Sequence, residues 1–276
     1  MLSITEYNGL LINNTFIELM EQYDVTDLES LMSTFDGCTI KIKKTRSIFR
    51  IDKGKRSFYL KQHEWSWIEK IKYILPWVKK EDARNEWSNI ILLNKLGFST
   101  VTPVAFGEKR KYGLPCISIT LTEDLYDSEK LESYIPRKFS GSLSGKRLLA
   151  KRELIHKLAY MTRQFHESGL NHQDYYFGHL YIRSQNDALI IIDLQRLHRN
   201  NKISNHDRIK DLAQLAYSAT ISKVFTRTDF IRFAHTYLEK EKLNSRDIRL
   251  LKKINSKMKR IARHDNKLKR RSKGNP

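Results

Sequence analysis

The tightest constraint on this chain is the order and spacing of a few polar residues. His172-Gln173-Asp174 is followed, five residues after its acid, by His179, and Asp193 closes the apolar run Leu189-Ile190-Ile191-Ile192. A loop acid, a metal-ligand type of side chain and a strand-end acid, in that order, suit phosphoryl transfer. That chemistry needs one acid to receive or orient the acceptor hydroxyl, and oxygen ligands for a Mg²⁺ that offsets charge on the transferred phosphate. A lone Asp is usually a turn or cap residue. The ordered set is what points to a site.

The flanking sequence supplies the right supports. Leu154, Leu158, Met161 and Phe165 recur at helical spacing, which predicts a helix from Leu148 to Gly169, with the glycine ending it. Leu180 to Arg183 and Leu189 to Asp193 read as two strands joined by the polar turn Ser184 to Asp187. Upstream, Thr39 to Lys43, Ile48 to Asp52 and Ser57 to Lys61 read as three consecutive strands, the third ending on a lysine. Glu81 to Leu96 reads as a helix stopped by Gly97, and its acid Glu86 shares a face with Ala83, Ile90 and Leu93. A carboxylate on an apolar face is costly to bury without a cation. Lys61 is the expected partner.

These segments resemble the lipopolysaccharide core heptose kinases of the WaaP type, within the Kdo/WaaP family of bacterial sugar kinases. The resemblance rests on Ser57 to Lys61, Ala83 to Trp87, Leu96 to Glu108, Thr122 to Leu125, Asn171 to His179, Ile191 to Arg196 and Ile209 to Ala213, in the family's order. It implies an α+β, protein-kinase-like fold of two lobes: a small lobe with an antiparallel sheet and one helix, and a larger, mostly helical lobe. It implies ATP and Mg²⁺ as cofactors, and an acceptor sugar, the first heptose, in the lipopolysaccharide core glycolipid. Carried over by position, Asp174 is the catalytic acid, Lys61 the phosphate lysine and Glu86 its partner. Asp193 and His179 are the metal positions, and Thr122, Glu123 and Asp124 form the adenine hinge. Protein kinases write the central motif as H-R-D-x-x-x-x-N followed by D-F-G. Here Gln173 replaces the arginine, His179 the asparagine and Gln195 the glycine. The first hairpin turn, Lys44-Thr45-Arg46-Ser47, has no glycine, so cations there are expected to help hold phosphates. Asp211 is expected to bond the backbone of the catalytic loop rather than substrate.

The implied boundaries are an N-terminal helical extension (1–37), a nucleotide lobe (38–125), a catalytic lobe (126–251) and a basic tail (252–276). Residues 127–147 read as a loop. Eighteen residues from Asp193 to Asp211 leave little room for a peptide groove, which favours a small-molecule or glycolipid acceptor. Apolar residues make up 40% of the chain, and no run reaches the ~18 consecutive apolar residues of a membrane span. Two cysteines without metal spacing, and a start without a signal-peptide pattern, give a cytoplasmic expectation.

The formal charge is +20; without Lys252 to Lys273 it is still +10, forty cations against thirty acids. Such a surface suits the anionic cytoplasmic face of the inner membrane or phosphorylated glycans, and no specific nucleic-acid motif is present. Trp65 to Val78, aromatic and lysine-rich with Pro76 inside, suits either headgroup contact or packing on the small lobe. Other readings stay open: a kinase of the same group acting on Kdo, a protein kinase, or a basic non-catalytic scaffold or nucleic-acid binder.

Overall fold

The computed structural model describes residues 2–35, 37–43, 45–74 and 83–273. They divide into two compact units, Met1–Tyr126 with Ile191–Arg196, and Asp127–Ile190 with Leu197–Pro276.

The first unit holds β1 (Ile4–Tyr7), β2 (Leu10–Asn13), α1 (Ile17–Gln22), α2 (Leu28–Thr34), β3 (Cys38–Lys43), β4 (Arg46–Lys53), β5 (Arg56–Glu64), α3 (Trp67–Ile74), α4 (Ala83–Lys95), β6 (Pro103–Lys111) and β7 (Leu114–Glu123). Its seven strands form one antiparallel sheet, ordered β1-β2-β6-β7-β5-β4-β3. Side chains alternate across a strand, so register decides which residues share a face. Phe106, Thr120, Lys61 and Ile48 are opposite one another across β6, β7, β5 and β4. Their face meets α4, where Trp87 stacks on Phe106 and the Thr120 hydroxyl donates to the Ala83 carbonyl. The alternate set, including Leu60, Leu121 and Ala105, packs with Phe16, Met20, Leu31 and Phe35 from the N-terminal segment. The alternation Phe58-Tyr59-Leu60-Lys61 therefore sends Phe58 and Leu60 into the core and turns Lys61 toward α4.

The remaining elements are β8 (Ser128–Lys130), α5 (Leu131–Phe139), α6 (Gly145–Glu167), β9 (Leu170–Asn171), β10 (Leu180–Arg183), β11 (Leu189–Ile191), β12 (His198–Arg199), α7 (Asn205–Ile221), α8 (Arg227–Leu238) and α9 (Ser245–Lys273). Here β11, β10 and β8 form one small sheet and β12 pairs with β9. Gly169, just past α6, has φ +76°, and a Cβ there would lie 1.8 Å from the Asn200 carbonyl oxygen. Only glycine fits.

Several elements depart from the sequence reading. The first 37 residues are not only helical: β1 and β2 extend the sheet, because Leu10 and Ile12 bury beside β6. Residues 127–147 contain β8 and α5, whose Leu131, Tyr134, Ile135 and Phe139 form a buried stripe that tolerates Pro136. β5 runs past Lys61 to Glu64. Residues 252–273 are not a separate tail. They continue α9, with Ile254 against the Ala159–Leu212–Tyr237 cluster and the Tyr217 hydroxyl donating to Asp265. On α3, Trp67, Ile71 and Ile74 are exposed, while Trp65 stacks on His63 and donates to Ser118 Oγ. The rest of that segment, from Leu75 through Pro76 and Val78, lies outside the described residues, as do Lys44 and the two residues before α4. No helix among the described residues is long and apolar enough to cross a membrane.

In the second unit Lys151 and Asp229 form a buried ion pair at 2.8 Å, with Arg232 on the other carboxylate oxygen. Burial works against the Asp229 carboxylate, but Lys151 and the Thr226 cap outweigh it and hold its pKa below the ordinary value. A depressed carboxyl stabilises the fold above its unfolded pKa, and that contribution disappears as pH falls through the folded pKa. Lys151→Met should cost about 3–5 kcal/mol of unfolding free energy at neutral pH. Urea denaturation at pH 7 and below pH ~4 should show the gap between wild type and variant shrinking in acid.

Candidate active site

Lys61, Glu86 and Asp193, the residues expected to serve the nucleotide, sit on β5, α4 and the segment after β11, all within the first unit. Glu86 is 2% exposed on the face of α4 that also carries Ala83, Ile90 and Leu93. One of its oxygens pairs with the Lys61 ammonium. The other accepts from Gln195 Nε2 at 3.0 Å. Gln195 Oε1 in turn accepts from Arg46 Nη1 at 2.9 Å. Burial works against the Lys61 charge, but Glu86 and Asp193 outweigh it and hold the ammonium pKa above the ordinary lysine value, with Arg46 pulling the other way. Lys61 therefore stays charged through neutral pH and loses its proton only as pH rises beyond the usual lysine range.

Residues 191–195 are fastened to this unit at several points. Ile191 N–H donates to the Ser99 carbonyl at 3.0 Å, and Thr100 Oγ1 donates to the Ile191 carbonyl at 2.6 Å. Asn89, one helical turn from Glu86, donates to the Leu194 carbonyl at 2.8 Å. Between these anchors Asp193 takes a left-handed backbone at φ +59°, a costly conformation that persists where surrounding contacts impose it. Thr122 to Asp124, the expected hinge, lie at the end of β7. Glu123 N–H donates to the Thr102 carbonyl and Asp124 N–H to the Ser57 carbonyl, while the Asp124 carboxylate takes the Leu125 N–H at 2.7 Å. Burial pushes the Glu123 carboxyl up despite Arg56 at 3.2 Å.

The second unit carries the loop acid. Asp211, fully buried on α7, accepts from the His172 N–H at 2.8 Å and the Gln173 N–H at 3.0 Å, the structural role expected of it. Gln214, one turn on, accepts from the Tyr175 N–H and donates to the Gln173 carbonyl. Gln173 itself is left-handed at φ +71°, and its amide donates to Asp207 and accepts from Lys210. The position that protein kinases fill with arginine thus ties the loop to α7. Asp174, half-buried, follows this double clamp, and its carbonyl lies 2.8 Å from His179 Nδ1. A carbonyl only accepts, so Nδ1 carries the hydrogen and Nε2 is the nitrogen able to bind a metal.

The donors suit Mg-nucleotide chemistry. Both Glu86 oxygens are engaged, by Lys61 and Gln195, and Asp193 is a carboxylate of the type that ligates Mg²⁺ whose charge acts on Lys61. Among the described residues no group of three or more His, Cys, Asp or Glu is placed to hold a metal ion. A Mg²⁺ held by one or two carboxylates plus nucleotide phosphates needs no such group. Sequence reasoning expected the cations of the first hairpin turn to help hold phosphates, but gave no role to Gln214 or to the contacts that link Arg46, Gln195 and Glu86. A buried amide one turn after Asp211 was a readable signal for the first; nothing local predicted the others.

The family model described as Lipopolysaccharide kinase (Kdo/WaaP) matches residues 41–237. The chain belongs to that family. It is similar to the lipopolysaccharide core heptose(I) kinase WaaP of Escherichia coli (strain K12), 29% identical over 82% of this chain and 88% of that one. It is 30% identical to the enzyme of the same name from Pseudomonas aeruginosa over 71% of this chain and 74% of that one. A solved structure of WaaP in complex with acyl carrier protein superposes with a TM-score of 0.69 at 25% identity, covering 88% of this chain and 96% of its own. The kinase thus has the protein-kinase-like α+β fold its sequence suggested, and family membership implies ATP use. The matched span contains Lys61, Glu86, Asp174, His179 and Asp193, and leaves α9 outside.

Proposed function

We propose that this kinase transfers the terminal phosphate of ATP, with Mg²⁺, to a hydroxyl of the first heptose of the lipopolysaccharide inner core. The observation that carries this is the Lys61–Glu86 pair beside Asp193 in a chain of this family; the heptose(I) acceptor is in the names of its relatives. Residues 38–125, together with the segment 191–196, serve the nucleotide, and the rest of 126–251 serves the acceptor. Lys61, oriented by Glu86, holds phosphate oxygens, and the segment Thr122-Glu123-Asp124 receives the adenine. Asp193 is the proposed metal ligand of the first unit, and the His179 imidazole is that of the second. Asp174, presented by the clamped loop, takes up the acceptor hydroxyl's proton. Bound Mg-ATP supplies the phosphoryl group and the divalent charge that offsets it.

The enzyme works at the cytoplasmic face of the inner membrane as a peripheral protein. Supporting this, His206, Lys252, Lys253, Lys257 and Arg260 line a groove of about 470 Å³ along α7 and α9, a surface that suits anionic headgroups. We also extend an acyl carrier protein partner to this chain. A cavity of about 580 Å³ in the second unit is lined by Leu154, Leu158, Phe225, Phe233, Ile254 and Met258 among other apolar side chains. A carried acyl chain gains by leaving water for such a space.

Asp174→Asn keeps shape and removes the base, so turnover should fall by ~10²–10⁴ while ATP affinity measured by calorimetry persists; near wild-type turnover would withdraw the assignment. Reversing Lys252, Lys253, Lys257 and Arg260 to Glu should weaken binding to anionic vesicles about tenfold or more, most at low salt, and spare phosphorylation of a soluble, deacylated acceptor. Truncation after Leu251 is a poorer probe because it removes packed helix. Acyl-loaded carrier protein should raise the kinase's melting temperature more than the unacylated carrier does; equal shifts would place that contact outside the cavity.

A further inference from the structure

We infer that Arg46 is a nucleotide-phosphate residue of this kinase, carried on the β3–β4 hairpin and aimed by Gln195. The inference rests on the nucleotide reading above and adds a residue to it. Where a glycine-rich turn would offer free backbone amides to phosphates, this hairpin passes through Thr45 into Arg46, residues whose Cβ atoms restrict that approach. Arg46 opens β4 opposite His63, two positions along β5 from Lys61.

The contacts of Gln195 fix its orientation. The Glu86 carboxylate can only accept, so Gln195 must turn its NH₂ toward Glu86 and its oxygen toward Arg46. A glycine here could not make this link. The relay therefore runs from Lys61 through Glu86 and Gln195 to Arg46, and joins two cations through one carboxylate and one neutral amide. Arg46 lies close enough to Lys61 for their charges to oppose. Placing like charges together has an electrostatic cost that an anion between them removes. A guanidinium adds the planar fork that matches phosphate oxygens two at a time. With Asp193 next to Lys61, the anion suited to this place is a polyphosphate chain carrying its own metal.

Calorimetric binding of ATP and of adenosine to the full chain tests this, using wild type, Arg46→Ala, Arg46→Lys and Gln195→Leu. Arg46→Ala should weaken ATP by about 10- to 100-fold and leave adenosine affinity and the ligand-free melting temperature unchanged. Arg46→Lys should recover part of the loss. Gln195→Leu should also weaken ATP, and its effect should shrink in an Arg46→Ala, Gln195→Leu double variant, where only its contact with Glu86 remains to be lost. Unchanged ATP affinity in Arg46→Ala, or equal losses for ATP and adenosine, would make Arg46 a hairpin tether only and overturn the inference. A wild-type chain that binds no ATP would overturn the nucleotide reading along with it.

Discussion

The buried carboxylate of Glu86 organises the first unit. An ion-sized charge removed from water costs several kcal/mol unless it is paired and its remaining lone pairs are satisfied. Glu86 meets both conditions with partners far apart in sequence, Lys61 on one oxygen and Gln195 on the other. A single desolvated group thereby sets the position of a central strand, a helix and the segment that carries Asp193. Asn89 repeats the attachment one helical turn away, so α4 holds that segment by side chain and by backbone.

The second unit solves a comparable problem with a different device. A loop presenting an acid to solvent has backbone N–H groups that must find acceptors, and a charged acceptor is stronger than a neutral one. Asp211 takes two of them and Gln214 takes a third. With the amides fixed to α7, the conformation of residues 172–175 is set by a helix rather than by the loop's own preferences. The left-handed backbone of Gln173 is a consequence of that clamp.

Basic character in this chain is attached to ordered structure. α9 places Ile254 against a cluster that includes Leu212 of α7 and Tyr237 of α8, and exposes Lys252, Lys253, Lys259, Arg260 and Arg263. Its positive face is therefore a shaped surface with defined neighbours, which is why charge reversal reports on it more cleanly than deletion.

Much of this was written locally. The helical spacing around Glu86, the strand ending near Lys61 and the acid-loop-hairpin-acid order after α6 are all short-range patterns, and the resemblance of those segments to the Kdo/WaaP kinases implies the fold and the family. The pairing of Lys61 with Glu86 was also inferable, because an acid on an apolar face needs a cation. What sequence could not give was anything fixed by distant packing. β1 and β2 are four residues each and are strands because β6 offers an edge to pair with. α5 forms despite Pro136 because its apolar stripe is buried. The basic C-terminal segment reads as a solvated tail until α7 supplies the surface it packs on. The link from Arg46 through Gln195 to Glu86 spans over a hundred residues of chain, and no local pattern encodes which amide will meet which guanidinium. Sequence periodicity set the elements and the residue types of the site; only the folded chain brought their side chains within hydrogen-bonding reach.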